Sequence, residues 1–174
     1  MVTKATTNMN RNDIILHVTN ALKYFYDKDS LLIEYSLSER CMTHRIAVYL
    51  ECICFYGYYI DCEYNKTHLI GYDAIKKVNN PKGNYIDIVI TKRSKEKADD
   101  LACFEVKKNK PVREDARMVD REKLKILTSG EHFSYQYGFF IVLGRSFDES
   151  FVELYENGKL TIENILKHAN KNIA

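Results

Sequence analysis

The sequence predicts an α/β domain in which a mixed central β-sheet is flanked by helices. Three observations lead there. Residues 86–91 (Ile-Asp-Ile-Val-Ile-Thr) and 101–107 (Leu-Ala-Cys-Phe-Glu-Val-Lys) are apolar-rich runs joined by a charged connection, the pattern of a β-hairpin. Residues 135–143 (Tyr-Gln-Tyr-Gly-Phe-Phe-Ile-Val-Leu) are almost continuously apolar, as expected of a strand buried on both faces. A helical stretch separates these runs, so residues 101–143 read as a strand–helix–strand passage. Its right-handed crossover places two strands parallel beside an antiparallel hairpin. A mixed sheet with helices on both sides follows.

The chain has 174 residues, enough for one domain with its own core. A domain of that size buries on the order of 70% of its unfolded surface. No repeat, low-complexity stretch or internal linker interrupts it, so residues 1–174 read as a single domain with a core at about 36–143. The net charge of +2 excludes a surface that is basic throughout, although a local basic patch can sit inside a balanced total. Cys41, Cys52, Cys54, Cys62 and Cys103 fall inside expected helices and strands. Cys52-x-Cys54 is not the usual zinc spacing, and its nearest histidines, His44 and His68, form no second pair. Buried, reduced thiols are the expectation. Residues 1–11 are polar and lack an apolar signal region. No apolar run approaches the ~20 residues of a membrane span. The expected location is the cytoplasm, with no membrane partner.

In order, residues 1–11 read as a loose tail. A helix is expected from Asn12 or Asp13 to about Tyr26–Ser30, with Ile14, Ile15, Val18, Ala21, Leu22 and Phe25 as its apolar stripe. A second helix is expected at about 37–56. Ser36 and Glu39 fit the spacing of a capping box at its start. Glu39, Thr43, Ile46, Leu50 and Ile53 share one face of it. Gly57 ends that helix, and residues 58–65 alternate as a strand, with Asp61 and Glu63 on the face away from Ile60 and Cys62. Turn residues fill 66–84, with a short helix near 73–78. After the hairpin and its exposed connection at 92–100, a third helix is expected at about 112–128, stopped by Ser129-Gly130. A peripheral hairpin at 152–160, turning at Asn157-Gly158, and a helix at 161–170 close the chain.

The hairpin carries the chemistry. Strand side chains alternate between faces, so Ile86, Ile88 and Ile90 share one face, as do Ala102, Phe104 and Val106. Asp87, Glu105 and Lys107 fall on the other. Carboxylates and an ammonium projecting from apolar strands are costly to bury without partners or a metal. Magnesium takes one or two protein carboxylates plus waters and phosphate oxygens, a role that Asp87 and Glu105 can fill. Lys107 follows two residues later. Its ammonium could position or deprotonate an attacking water, or stabilise charge developing on a phosphate.

Asp87, then Glu105-Val106-Lys107 at the end of an apolar run, resembles the PD-(D/E)xK, or restriction-endonuclease-like, nuclease superfamily. The similarity extends over about 36–143: a helix carrying an acidic residue, three strands, a helix and a buried strand. The runs Ser38-Glu39-Arg40 with His44-Arg45, and Asp61-Cys62-Glu63-Tyr64-Asn65, are also similar to small members of that superfamily. Ile86 stands where the motif's name has proline. The resemblance implies a restriction-endonuclease-like core that hydrolyses phosphodiester bonds, in DNA before RNA, with Mg²⁺ as cofactor and Mn²⁺ able to substitute. It implies Asp87 and Glu105 as principal metal ligands, Glu39 as a supporting ligand and Lys107 as the catalytic lysine. Glu63, Asp120 and Lys123 are auxiliary candidates. A homodimer would suit a small stand-alone member.

Plainer readings stand beside these. Glu39 could simply cap its helix, and Glu63 could face solvent. Asp120 and Lys123, three apart, could form an exposed helical ion pair. Arg40, His44 and Arg45, and the basic run Lys108, Lys110 and Arg113 after Lys107, are candidates for nucleic-acid contact, or ordinary surface charge. Two alternatives to a nuclease follow. One is a catalytically inactive nucleic-acid-binding or assembly protein on the same fold. The other is a structural domain in which Asp87 and Lys107 form a buried bridge.

Overall fold

The hairpin forms as the alternation requires. β2 (Ile86–Thr91) and β3 (Asp100–Lys108) pair antiparallel, with Ile88 opposite Phe104 and Ile90 opposite Ala102. The computed structural model that describes the chain covers residues 9–53, 57–64, 85–93, 100–109, 114–130 and 135–169. The expected short helix near 73–78 lies outside these residues. Around the hairpin stand helices α1 (Arg11–Asp29), α2 (Leu31–Glu34) and α3 (Glu39–Cys52), and strand β1 (Tyr59–Tyr64). After it come α4 (Glu114–Thr128), β4 (Tyr137–Leu143), β5 (Phe151–Glu156), β6 (Lys159–Ile162) and α5 (Ile165–Ala169). The six strands form one sheet in the order β1-β2-β3-β4-β5-β6. Every neighbouring pair is antiparallel except β3–β4, which is parallel through the α4 crossover. The mixed sheet and α/β class expected from sequence are both present.

Each face of the sheet has its own core. Ile88, Ile90, Ala102, Phe104, Phe139 and Ile141 pack with α1, α3 and α5 on one side. Val89, Cys103, Phe140, Val142 and Tyr155 pack with Leu124 and Leu127 of α4 on the other. Phe104 and Phe139 are fully buried and stacked, their ring centres 5.0 Å apart. Burying a side chain of that size contributes roughly 1.5–3 kcal/mol.

Several boundaries differ from the sequence expectation. α1 starts at Arg11, because Asn10 caps it and Asp13 returns the bond to the Asn10 amide. α3 starts at Glu39, and its N-cap is Ser38, which accepts from the Cys41 amide. The capping box expected between Ser36 and Glu39 does not form. Ser36 has φ 53°, inside the turn that leaves the unexpected α2, and Glu39 is already the first helical residue. Glu63 also has a positive φ of 53°, but the β1–β2 register runs on unchanged across it, from Cys62–Ile88 to Tyr64–Ile86. The last hairpin is not peripheral. β5 pairs with β4 from Phe151 to Tyr155 and extends the sheet, and Thr161 and Ile162 belong to β6. Asp100 is buried as the first residue of β3, not exposed in the connection. Cys52 and Cys62 are exposed and Cys41 half-buried; only Cys103, among the described cysteines, is a fully buried free thiol.

Gly144 fixes the turn after β4. A Cβ there would stand 2.5 Å from the Glu149 backbone carbon. Gly144→Ala is expected to destabilise by about 1–3 kcal/mol, the scale of overpacking, measured by urea denaturation; an unchanged midpoint would show that the loop gives way freely.

Candidate functional site

On the α4 side of the sheet, one cross-strand row holds the charged groups. Glu105 sits beside Phe140 on β4, and Phe140 beside Glu153 on β5. The β2–β3 register places Asp87 next to Glu105 at the other end. One step beyond the Ile88–Phe104 pair, the Val106 amide donates to Asp87 Oδ2 at 2.8 Å. The backbone that forms the hairpin thereby also orients the first carboxylate.

Glu105 is 2% exposed. Its carboxylate oxygen Oε1 lies 2.5 Å from Lys123 Nζ of α4, and the same ammonium donates to the Tyr85 carbonyl. Burial pushes the Glu105 carboxyl up to about 8; the adjacent Asp87 and Asp120 charges add to that, and Lys123 opposes it. Asp87 is raised too, by burial against the pull of the Val106 amide, Lys107 and Lys123. Lys107 is half-buried and pairs with Asp120 Oδ2 at 3.4 Å. Burial works to lower its pKa, but Asp120, Asp87, Glu105 and Glu39 together outweigh it, so the ammonium is raised above its ordinary value. The result is a cluster of three carboxylates (Asp87, Glu105, Asp120) and two lysines (Lys107, Lys123) under α4.

Asp87, Glu105 and Lys107 therefore come together as the sequence implied, and Asp120 joins them. The exposed Asp120–Lys123 pair does not form. Helical spacing gave their separation along α4 but not what lay beneath it: Asp120 pairs with Lys107, and Lys123 is buried on Glu105. The buried Asp87–Lys107 bridge is replaced by the Lys107–Asp120 pair. Glu39 enters from the helix on the opposite face; its Oε1 accepts from the Lys108 amide at 3.4 Å. It does not join Asp87 and Glu105 as a third ligand. Among the described residues, no three His, Cys, Asp or Glu side chains gather closely enough to hold a metal.

The remaining candidates are dispersed. Arg40 pairs with the exposed Glu63 at 3.1 Å. His44 is exposed. Arg45 is held at 2.7 Å by Asp29, stacks on the Tyr49 ring and hydrogen-bonds its hydroxyl, so its charge serves the α1–α3 contact. Lys108 is buried beside a cavity on the other side of β3. Lys110 and Arg113 lie outside the described residues.

Sequence reasoning missed the far end of the row. Arg121 of α4 grips Glu153 with Nε and Nη2 at 2.7–3.1 Å and covers the Phe140 ring, while the Tyr155 hydroxyl donates to Glu153 Oε2 at 2.6 Å. The available signal was Glu153 itself, an acid alternating with Phe151 and Tyr155 on one strand face. This network clamps α4, and hence Asp120 and Lys123, onto the sheet.

The donor set is suited to a hard cation: carboxylate oxygens on adjacent strands, largely shielded from water, with lysines as their present counter-charges. Asp87 and Glu105 are the residues that could hold Mg²⁺ or Mn²⁺, completed by water or phosphate oxygens. Glu105 could do so only as Lys123 gives way. No helix among the described residues is long and apolar enough to cross a membrane. In comparisons with known proteins, the chain matches no family model, no curated protein and no solved structure.

Proposed function

We infer that the chain is a divalent-metal-dependent nuclease of the restriction-endonuclease-like kind, hydrolysing phosphodiester bonds in DNA. One observation carries the reading: Asp87 and Glu105 stand side by side on antiparallel strands, with Lys107 on the same face two residues on. When bound, a divalent cation supplies a polarised phosphate oxygen and a more acidic water. Asp87 and Glu105 would hold it, with Asp87 kept in place by the Val106 amide. Lys107, raised by its carboxylate neighbours, keeps its proton at neutral pH. That favours a cationic role, donating to the phosphate or orienting the water, over proton abstraction. Asp120 holds Lys107 between turnovers.

The test is cleavage of supercoiled plasmid in Mg²⁺ or Mn²⁺ with an EDTA control. Relaxed or linear product that EDTA abolishes is the expected result. Intact plasmid and intact single strands at every metal concentration would sink the activity.

The Glu105–Lys123 bridge favours a second reading, in which the cluster is structural and the protein binds nucleic acid without cutting it. Mn²⁺ separates the two. Metal bound only by the folded state raises Tm by mass action, by an amount equivalent to about 2.7 kcal/mol at a hundredfold excess over Kd. The nuclease reading expects such a rise, and its loss in Asp87→Asn. A Tm indifferent to Mn²⁺ supports the structural cluster.

A further inference from the structure

We propose that a cavity at the carboxyl ends of β3 and β4 binds a phosphate monoester, separately from the carboxylate cluster. It has a volume of about 560 Å³ and is lined by Ser30, Ser36, Lys108 and Arg145, among others. That size falls within the roughly 300–1,000 Å³ of small-ligand sites. Lys108 is 8% exposed, and its ammonium has no ion pair or hydrogen bond among the described residues. Its stem is largely buried but its Nζ is not sealed from solvent, so an anion in the cavity could reach it and form a charge-assisted contact. The Arg145 guanidinium and the hydroxyls of Ser30 and Ser36 are likewise without a partner among the described residues. Glu34 also lines the cavity, which leaves two cations against one carboxylate.

The wall is fixed before any ligand arrives. Ser150 Oγ accepts from the Gly144 amide at 2.9 Å, and the Tyr26 hydroxyl donates to the Gly144 carbonyl at 2.9 Å. Arg145 follows directly, so its backbone is held before binding and its exposed side chain is what must order. Ile33 and Leu143 add apolar surface for a sugar or base. A recessed ammonium favours a terminal phosphate, which enters end-on with close to two charges at pH 7. An internal phosphodiester carries chain on both sides and needs an open groove. The ligand is therefore a phosphate monoester, either a free mononucleotide or the end of a strand. The inference goes beyond the nuclease reading and does not depend on it.

The experiment uses the full-length protein in EDTA and measures binding of three probes. They are AMP, a short oligonucleotide phosphorylated at its 5′ or 3′ end, and the same oligonucleotide with hydroxyl ends. The phosphorylated strand should bind at least about tenfold tighter than the hydroxyl-ended one, as a charge-assisted contact predicts. Lys108→Met, which keeps the buried stem, and Arg145→Ala, at an exposed position, should each remove most of that preference. Binding of AMP would assign the site to mononucleotides, and its failure beside a tight phosphorylated strand would assign it to strand ends. Equal affinity for both strands without AMP binding overturns the proposal, as does a preference that survives both substitutions. Lys107→Met should keep the phosphate preference, so this site and the nuclease reading can fail separately.

Discussion

Lys107→Met should cut plasmid about 10²–10⁴-fold more slowly than the parent chain, the scale of a lost proton-transfer or charge-stabilising group. The substitution keeps the aliphatic stem against the sheet and removes only the ammonium. Mn²⁺ binding should persist, because the carboxylates are untouched and one positive neighbour is gone. Cleavage rates in Mn²⁺, with Mn²⁺-dependent Tm shifts on the same samples, check both halves. A variant that cuts at the parent rate would remove Lys107 from the chemistry. Asp120→Asn is the companion. It frees Lys107 from its partner at 3.4 Å and should leave measurable cutting.

The second large effect is on stability. Lys123→Met leaves Glu105 buried without its counter-charge and the Tyr85 carbonyl without its donor. Where Glu105 is ionised, above about pH 8, breaking such a buried pair from one side costs about 3–5 kcal/mol. Glu105 has a folded-state pKa of about 8 against an ordinary 4.5, so between those values the folded state holds a proton that the unfolded state has released. Stability of the metal-free protein should therefore fall as pH rises through that window and level off above it. Asp87, also raised, acts in the same direction. Without Lys123 the Glu105 pKa climbs further, so the loss should be larger at pH 8.5 than at pH 6. Adding Glu105→Gln to Lys123→Met should recover much of it. Urea unfolding in EDTA at both pH values is the measurement. An equal loss at both, with no rescue, would mean that Lys123 acts by packing alone.

How much of this was legible in the sequence depends on the range of the signal. β2 was read at its observed ends because strand composition is a local signal and every residue from Ile86 to Thr91 but Asp87 is β-branched. That Asp87 and Glu105 share a face of adjacent strands followed from the period of two, and the parallel β3–β4 pair from chain connectivity. Ser36 misled because its spacing to Glu39 is that of a capping box, while its backbone adopts a turn that only the α2 contacts select. Lys123 and Glu153 were opaque for a different reason. Their partners, Glu105 and Arg121, lie across the contact between α4 and the sheet, and no periodicity along α4 or β5 says which residue of one element meets which of another. Arg45 looked like a nucleic-acid contact because nothing in its own helix reveals Asp29.

β3 ends in two adjacent lysines whose side chains leave opposite faces, one toward the carboxylates and the other toward the cavity behind them. The strand is therefore a partition one peptide thick between two chambers of opposite electrical character. A single residue deleted ahead of Lys107 within that strand would bring Lys108 to the carboxylates and Asn109 to the cavity, whereas an insertion there would send Lys107 to the cavity and leave the carboxylates without a strand lysine. The two slips should therefore part the chambers, the deletion emptying the cavity of its lysine and the insertion emptying the carboxylate side.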